Sequence, residues 1–182
     1  MPYGKTIPNL KINGQPAPYP VVNEREIRAA AGLMFLIGSI TFAYVFFTRD
    51  FAPIYILVPI FWLDFLLKSV LQPHYSIFGW LGSLLVKKQD PEYVGAIQKR
   101  FAWSIGLALA SIMMVFVLGM EVRGLLPFSI CSVCLFFMWM ESSLGICVGC
   151  KIYSALINKG LLKSPDIKPA CPGGSCSIIK RK

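Results

Sequence analysis

The chain is poor in the residues from which most soluble active sites are built. It has one histidine, His74, in 182 residues, so paired axial ligation of a haem and a histidine-rich metal motif are both closed to it. A lone histidine in a loop reads as structural or solvated, and His74 is discounted. No nucleotide-binding glycine loop and no Ser/His/Asp arrangement is present, which leaves hydrolase and kinase readings without support. Charged residues are scarce at 15%, and acidic ones scarcer: 9 Asp+Glu against 18 Lys+Arg, for a net charge of +9. The first 22 residues lack the apolar run of a cleaved signal peptide and carry Pro2, Pro8, Pro16, Pro18 and Pro20 instead, which predicts a flexible Pro/Gly-rich arm. Insertion would then rely on the first membrane helix.

What is abundant is apolar surface. At 55% hydrophobic the composition moves from soluble domain to integral membrane protein. The cations lie between and beyond the apolar blocks, which favours lipid headgroups and membrane topology over nucleic acid. Four blocks are each long enough to cross about 30 Å of hydrocarbon: Ile27 to Phe47, Phe51 to Leu71, Phe101 to Met120, and a fourth running from Leu125 to Leu156. Asn23 offers an N-cap to the first, with Glu24 and Glu26 complementing its helix dipole. Gly32, Gly38, Ser39 and Ala43 give that helix small surfaces for a neighbour. Between the second and third blocks, Ile77 to Val86 is too short to span and reads as an interfacial or re-entrant piece, with Trp80 at headgroup level. The expected fold is therefore all-α: a four-helix transmembrane bundle over residues 23–158, an arm over 1–22, and a basic cysteine-containing tail over 159–182. Positive charge is heavy in the second loop and the tail and light at Thr48 to Asp50 and Glu121 to Gly124, which places both termini in the cytoplasm.

Two charges inside the second span, Asp64 and Lys68, stand four apart on one helical face. They read either as a pair snorkelling at the cytoplasmic boundary or as the lining of a polar path. Glu141, inside the fourth span, is the third intramembrane polar residue, with Lys68 or Arg100 as its expected partner. An ionised and paired group, a protonated hydrogen-bonding group and part of a proton path are all open for it, beside a plain structural polar anchor.

Six cysteines fall in three pairs: Cys131/Cys134, Cys147/Cys150 and Cys171/Cys176. Along one continuous helix Cys134 and Cys147 lie about 20 Å apart, so the first two pairs cannot share a zinc ion unless that helix breaks. At about 100° per residue, Cys131, Cys134, Met138, Glu141, Ser142 and Gly145 share one face, and Cys147 and Cys150 point to roughly the opposite side. Gly145 and Gly149 let the backbone near Cys147 and Cys150 be approached closely, and Lys151 is placed to lower a thiol pKa. Cys171 and Cys176, in the Pro/Gly-rich segment ACPGGSC, are candidate exchange partners for that pair, because exchange requires direct sulfur contact. Cys147, Cys150, Cys171 and Cys176 also approximate the spacing of a four-cysteine zinc site.

The segments Asn23 to Gly32 (NEREIRAAAG) and Gly145 to Tyr153 (GICVGCKIY) resemble those that open and close an uncharacterised family of small bacterial membrane proteins, catalogued as domain of unknown function 4395. The resemblance covers about Asn23 to Leu156. It implies a bacterial inner-membrane location, and neighbours of thioredoxin-like or rhodanese type imply sulfur or thiol traffic. Only Cys147 and Cys150, with Gly145 and Gly149 as their setting, carry over residue by residue.

Three functions follow. The leading one is thiol or sulfur handling at the cytoplasmic face, with Cys147/Cys150 as the reactive pair. The second is a non-enzymatic scaffold or accessory subunit of a larger membrane complex, its cysteines packing or binding zinc. The third is a small transporter of a reduced sulfur species, with Cys131, Met138 and Glu141 lining the path. No cofactor is identified, and a haem without paired histidine ligation or a quinone is left open.

Overall fold

In a computed structural model, residues 3–12 and 15–162 are described. The elements in chain order are β1 (Lys11–Ile12), β2 (Gln15–Pro16), β3 (Val21–Asn23), α1 (Glu24–Thr48), α2 (Ala52–Val70), α3 (Ile77–Leu85), β4 (Tyr93–Gly95), α4 (Ala96–Met114), α5 (Leu125–Trp139) and α6 (Val148–Asn158). A π-helical turn extends α4 through Val115–Gly119, and another extends α5 through Met140–Leu144. With these extensions α1, α2, α4 and α5 are, among the described residues, the four helices long and apolar enough to cross a membrane.

The distribution of polarity fits a bilayer as solvent. Ile40, Phe47, Ile56, Val115 and Leu125 point outward, whereas Glu24, Asp64, Lys68, Gln98 and Lys99 are buried. In water such an arrangement would leave a large apolar surface exposed; in hydrocarbon the helices satisfy their own backbone and only the interior charges need partners. α1 packs on α3 and α5, α2 on α4, and α4 on α6. Glycines set the close approaches: a Cβ at Gly106 of α4 would meet the Phe65 ring at 2.6 Å, and one at Gly38 of α1 would meet Leu135 at 2.8 Å.

The first helix starts where its cap predicts. Asn23 Oδ1 accepts the Arg25 N–H at 3.2 Å, and Asn23 Nδ2 donates to Glu26 Oε1 at 3.0 Å, so cap and third residue support each other. The stretch expected as a flexible arm is docked over its described part. Lys5 bridges Val21, β1 pairs with β2, and β3 pairs antiparallel with β4, Asn23 opposite Tyr93. Tyr3 donates its hydroxyl to the Lys68 carbonyl at 2.5 Å, and Arg100 Nε donates to the Ser69 carbonyl at 2.8 Å while its guanidinium lies over the Tyr3 ring. Two carbonyls at the C-terminal end of α2, which has no further turn to satisfy them, are thereby occupied.

The interfacial piece is a helix of nine residues, α3, lying against α1 with Trp80 exposed. Its N-terminus is capped twice: Ser76 Oγ accepts the Gly79 N–H, and Asp64 Oδ1, reaching from α2, accepts the Phe78 N–H, both at 2.9 Å. The snorkelling reading of Asp64 and Lys68 is therefore replaced. Both are buried, 2.5 Å apart, and Asp64 serves as the cap of a neighbouring helix, a use that spacing along α2 could not show.

The fourth block is not one helix from Leu125 to Leu156. It ends at Gly145, whose φ of +65° is the left-handed conformation that closes a helix, and Ile146 donates back to the Met140 carbonyl. The chain then starts again as α6. Opposite faces for the two cysteine pairs, reckoned along a continuous helix, accordingly do not apply.

Candidate functional site

The antiparallel pairing of β3 with β4 brings the starts of α1 and α4 side by side, and the Glu24 N–H donates to the Glu92 carbonyl at 2.7 Å. The first residue of α1, Glu24, thereby reaches Lys99 in the first turn of α4. Lys99 Nζ lies 2.8 Å from Glu24 Oε2 and also pairs with Glu141 in the turn that ends α5. Glu24 and Lys99 are both fully buried. A carboxylate at the start of a helix is favoured by its dipole, and an ammonium there is not, so Lys99 depends on the two carboxylates for its place.

Two carboxylates on one ammonium leave a local excess of negative charge. Arg28, one turn beyond Glu24, is the second cation nearby. Its Nη2 donates to the Ser142 and Ser143 carbonyls at 3.4 and 3.5 Å, groups left without intrahelical partners where α5 ends. Its guanidinium occupies the space a side chain at Gly145 would need, 3.1 Å from the place of a Cβ. The helix break and the ion cluster are thus tied together by one arginine.

Immediately after the break comes Cys147, which is the N-cap of α6: its backbone is extended, and its Sγ accepts the Cys150 N–H at 3.4 Å. A sulfur occupies the place usually taken by a serine or aspartate oxygen, where the N–H groups of the first turn favour negative charge. Both thiols lie within electrostatic range of Lys99. Cys147 is 5% exposed and Cys150 1%, packed against Ala102 of α4. That contact requires Gly149, because a Cβ there would fall 2.5 Å from the Ala102 Cβ. Hydrogen bonding to Cys147 and burial push the Cys150 thiol well above the ordinary thiol range. Cys150 is thereby held in its protonated form.

Two neighbouring cavities lie beside this pair. One, of about 110 Å³, is walled by Lys68, Lys99, Glu141, Cys147, Trp103 and Met138 among others. The second, of about 180 Å³, is almost wholly apolar and runs between α1, α2, α4 and α5 past Cys131 and Cys134. Phe65, Ala102, Phe137, Met138, Val148 and Gly149 line both.

The structure therefore brings together Glu141, Cys147 and Cys150, which sequence reasoning singled out, with Glu24, Lys99 and Arg28, which it did not. The expected partners of Glu141 are engaged elsewhere, Lys68 with Asp64 and Arg100 with Ser69 and Tyr3. The spacing of Glu24 and Arg28, four apart at the head of an otherwise apolar helix, was the one available signal. Cys131, Cys134 and Met138 do face the bundle interior, on the apolar cavity, with Glu141 on the other one. Lys151, expected to act on the thiols, is exposed. Cys171 and Cys176 lie outside the described residues, and among the described residues no group of three or more His, Cys, Asp or Glu could hold a metal ion.

Comparison with known proteins finds one family. The family model described as Domain of unknown function (DUF4395) matches residues 22–158, which takes in all four spans, the ion cluster and α6. No curated protein and no solved structure matches.

Proposed function

The chain belongs to this family of unknown function, and from its site we propose a membrane protein of thiol handling, in which Cys147 and Cys150 cycle between dithiol and disulfide. The observation that carries the reading is the placement of Cys147 as the N-cap of α6, with its sulfur turned to the Cys150 N–H. An electron pair developing on Cys147 Sγ meets the N-terminus of α6 and, nearby, Lys99. Cys150, held protonated, is suited to resolve rather than attack. In exchange, Cys147 attacks one sulfur of a partner disulfide and the other leaves as a thiol; Cys150 then displaces the partner, so that one disulfide is gained here and one lost there.

The described cations crowd one end of the bundle, where Lys5, Arg25, Lys87, Lys88, Lys151 and Lys159 lie, against Arg49 and Arg123 at the other. By the positive-inside rule this supports an N-in, C-in topology in a bacterial inner membrane, with the pair near the cytoplasmic face. A thioredoxin-like or rhodanese protein, or the chain's own Cys171/Cys176, is the proposed exchange partner. Because Cys147 and Cys150 are buried, such exchange requires the turn at residues 145–147 to open.

The test is thiol trapping in membranes after treatment with diamide and, separately, with dithiothreitol. A Cys147–Cys150 disulfide that forms with the first, disappears with the second and is absent from Cys147→Ser and Cys150→Ser is the expected result. A pair that stays reduced under diamide overturns the reading.

A further inference from the structure

The thiols are closed to bulk solvent, yet Cys147 forms part of a cavity wall. That cavity is continuous in its lining with a larger apolar one at membrane depth, through six shared residues. We infer that the two together bind a lipid-soluble quinone, its ring in the smaller cavity and its isoprenoid tail in the larger, and that this quinone accepts the electron pair of the Cys147/Cys150 dithiol. The inference rests on the proposed cycling of that pair and names the oxidant.

The chemistry of the walls selects this class of occupant. The walls suit an amphiphile, since the smaller cavity sets Lys68, Lys99 and Glu141 in a largely apolar lining and the other is lined by side chains such as Phe42, Val58 and Leu109. Its head has to be neutral. Both ammonium groups on the polar wall are already compensated, Lys68 by Asp64 at 2.5 Å and Lys99 by Glu24 and Glu141, so a phosphate or carboxylate head would add an anion to a site with two carboxylates on one lysine. A phospholipid chain would fill the apolar part but leave its charged head without a cation. A quinone carbonyl needs only a donor. Lys99 and Lys68, both on the wall of the smaller cavity, supply it: each ammonium carries three N–H donors, and one of them is donated to Glu141 and to Met34 Sδ respectively.

The reaction balances without another reactant. Two S–H bonds break, the Cys147–Cys150 S–S bond forms, and two electrons with two protons convert the quinone to hydroquinone. A dithiol partner at the aqueous face then returns the pair to the dithiol by the same exchange run in reverse, its own two thiols leaving as a disulfide.

The test uses the full chain, reduced, freed of reductant and placed in phospholipid nanodiscs under anaerobic conditions, with decylubiquinone as probe. Its ring carbons are all substituted, so it does not alkylate thiols. The expected result is one hydroquinone formed, read by ultraviolet absorbance, for each Cys147–Cys150 disulfide, and none with Cys147→Ser. Filling the apolar cavity from α4 with Ala110→Leu, or from α5 with Cys134→Leu, is expected to lower the quinone rate about tenfold relative to the diamide rate, the scale of a few misplaced methylenes in a binding pocket. Two variants on different helices guard against a folding defect in either. Oxidation by diamide but not by decylubiquinone, or a quinone rate indifferent to both cavity variants, overturns the quinone site and leaves the thiol reading standing. Extraction of phospholipid alone from protein purified out of quinone-containing membranes counts the same way. Failure with both oxidants overturns both proposals.

Discussion

Two Cys-x-x-Cys pairs with one and the same spacing sit in adjacent helices of this protein and have different surroundings. Cys131 and Cys134 lie within the continuous α5, half-buried, on the wall of an apolar cavity. Their backbone N–H groups fall beyond the first turn, where they serve the helix ladder. Cys147 and Cys150 straddle a helix start, so the sulfur of the first replaces a capping oxygen, and a buried lysine stands close by. Spacing alone does not make a dithiol site; the position of the helix terminus does. The buried charges repeat the lesson. Asp64 and Lys68 match one to one, with Asp64 also capping α3 and Lys68 also reaching Met34, a closed set of contacts that ties α2 to α1 and α3. Lys99 gathers two carboxylates from different helices, and Arg28 beside them is spent on carbonyls.

The largest effect expected from this contrast is qualitative. Cys147→Ser abolishes reversible disulfide formation in α6, whereas Cys131→Ser and Cys134→Ser leave it intact, as read by diagonal electrophoresis of membranes under oxidant. A loss of cycling in Cys131→Ser would break the distinction. Next comes the ion cluster. Lys99→Met leaves Glu24 and Glu141 facing each other without a cation and is expected to cost about 3–5 kcal/mol, the usual penalty for an orphaned buried charge, in denaturation of the detergent-solubilised protein. Lys68→Met should cost less, because Asp64 keeps the Phe78 N–H. Adding Glu141→Gln to Lys99→Met should recover part of the loss. Equal costs for the two lysine variants would remove the difference between the clusters.

The smaller term tests the seat of α6. Gly149→Ala places a Cβ 2.5 Å from that of Ala102 and must push α6 away from α4, for about 1–3 kcal/mol by analogy with other overpacked contacts. Ala102→Gly in the same chain should restore most of it.

How much of this was legible in the sequence follows from what each feature depends on. The four spans depend on apolarity summed over about twenty residues, which survives any detail of packing, and they lie close to where the sequence places them. α1 begins a little before the apolar run because Asn23, not hydropathy, fixes its start. The end of α5 was hidden for the converse reason: apolar residues continue through Ile146 and Val148, so no change of composition marks the break, and Gly145 resembles any glycine of a membrane helix until Arg28 is seen beside it. Glu24 and Lys99 are far apart in sequence and meet through β3 and β4, three residues each, too short for any alternation to register. Glu141 drew attention because a carboxylate inside a span always needs a partner. Naming that partner required the fold.

The Cys150 thiol makes a last, finer test of the comparison. Cys150 lies in α6, outside the four spans, and its thiol is raised by the hydrogen bond to Cys147 and by burial. A group whose pKa is higher folded than unfolded binds more protons in the native state. Its contribution to stability is therefore complete below the unfolded value, about 8.5, and is lost as pH rises above it, at no more than about 1.4 kcal/mol per pH unit for one group. Stability is thus expected to fall from about pH 8.5 upward, and the fall to flatten in Cys150→Ser, which has no titrating group there. Cys147→Ala removes the first cause of the shift and should let Cys150 be alkylated by iodoacetamide faster at a given alkaline pH. If instead Cys150 is alkylated as fast as Cys147 in the wild-type protein at neutral pH, the two sulfurs are equivalent, and the assignment of Cys147 as the attacking one loses its basis.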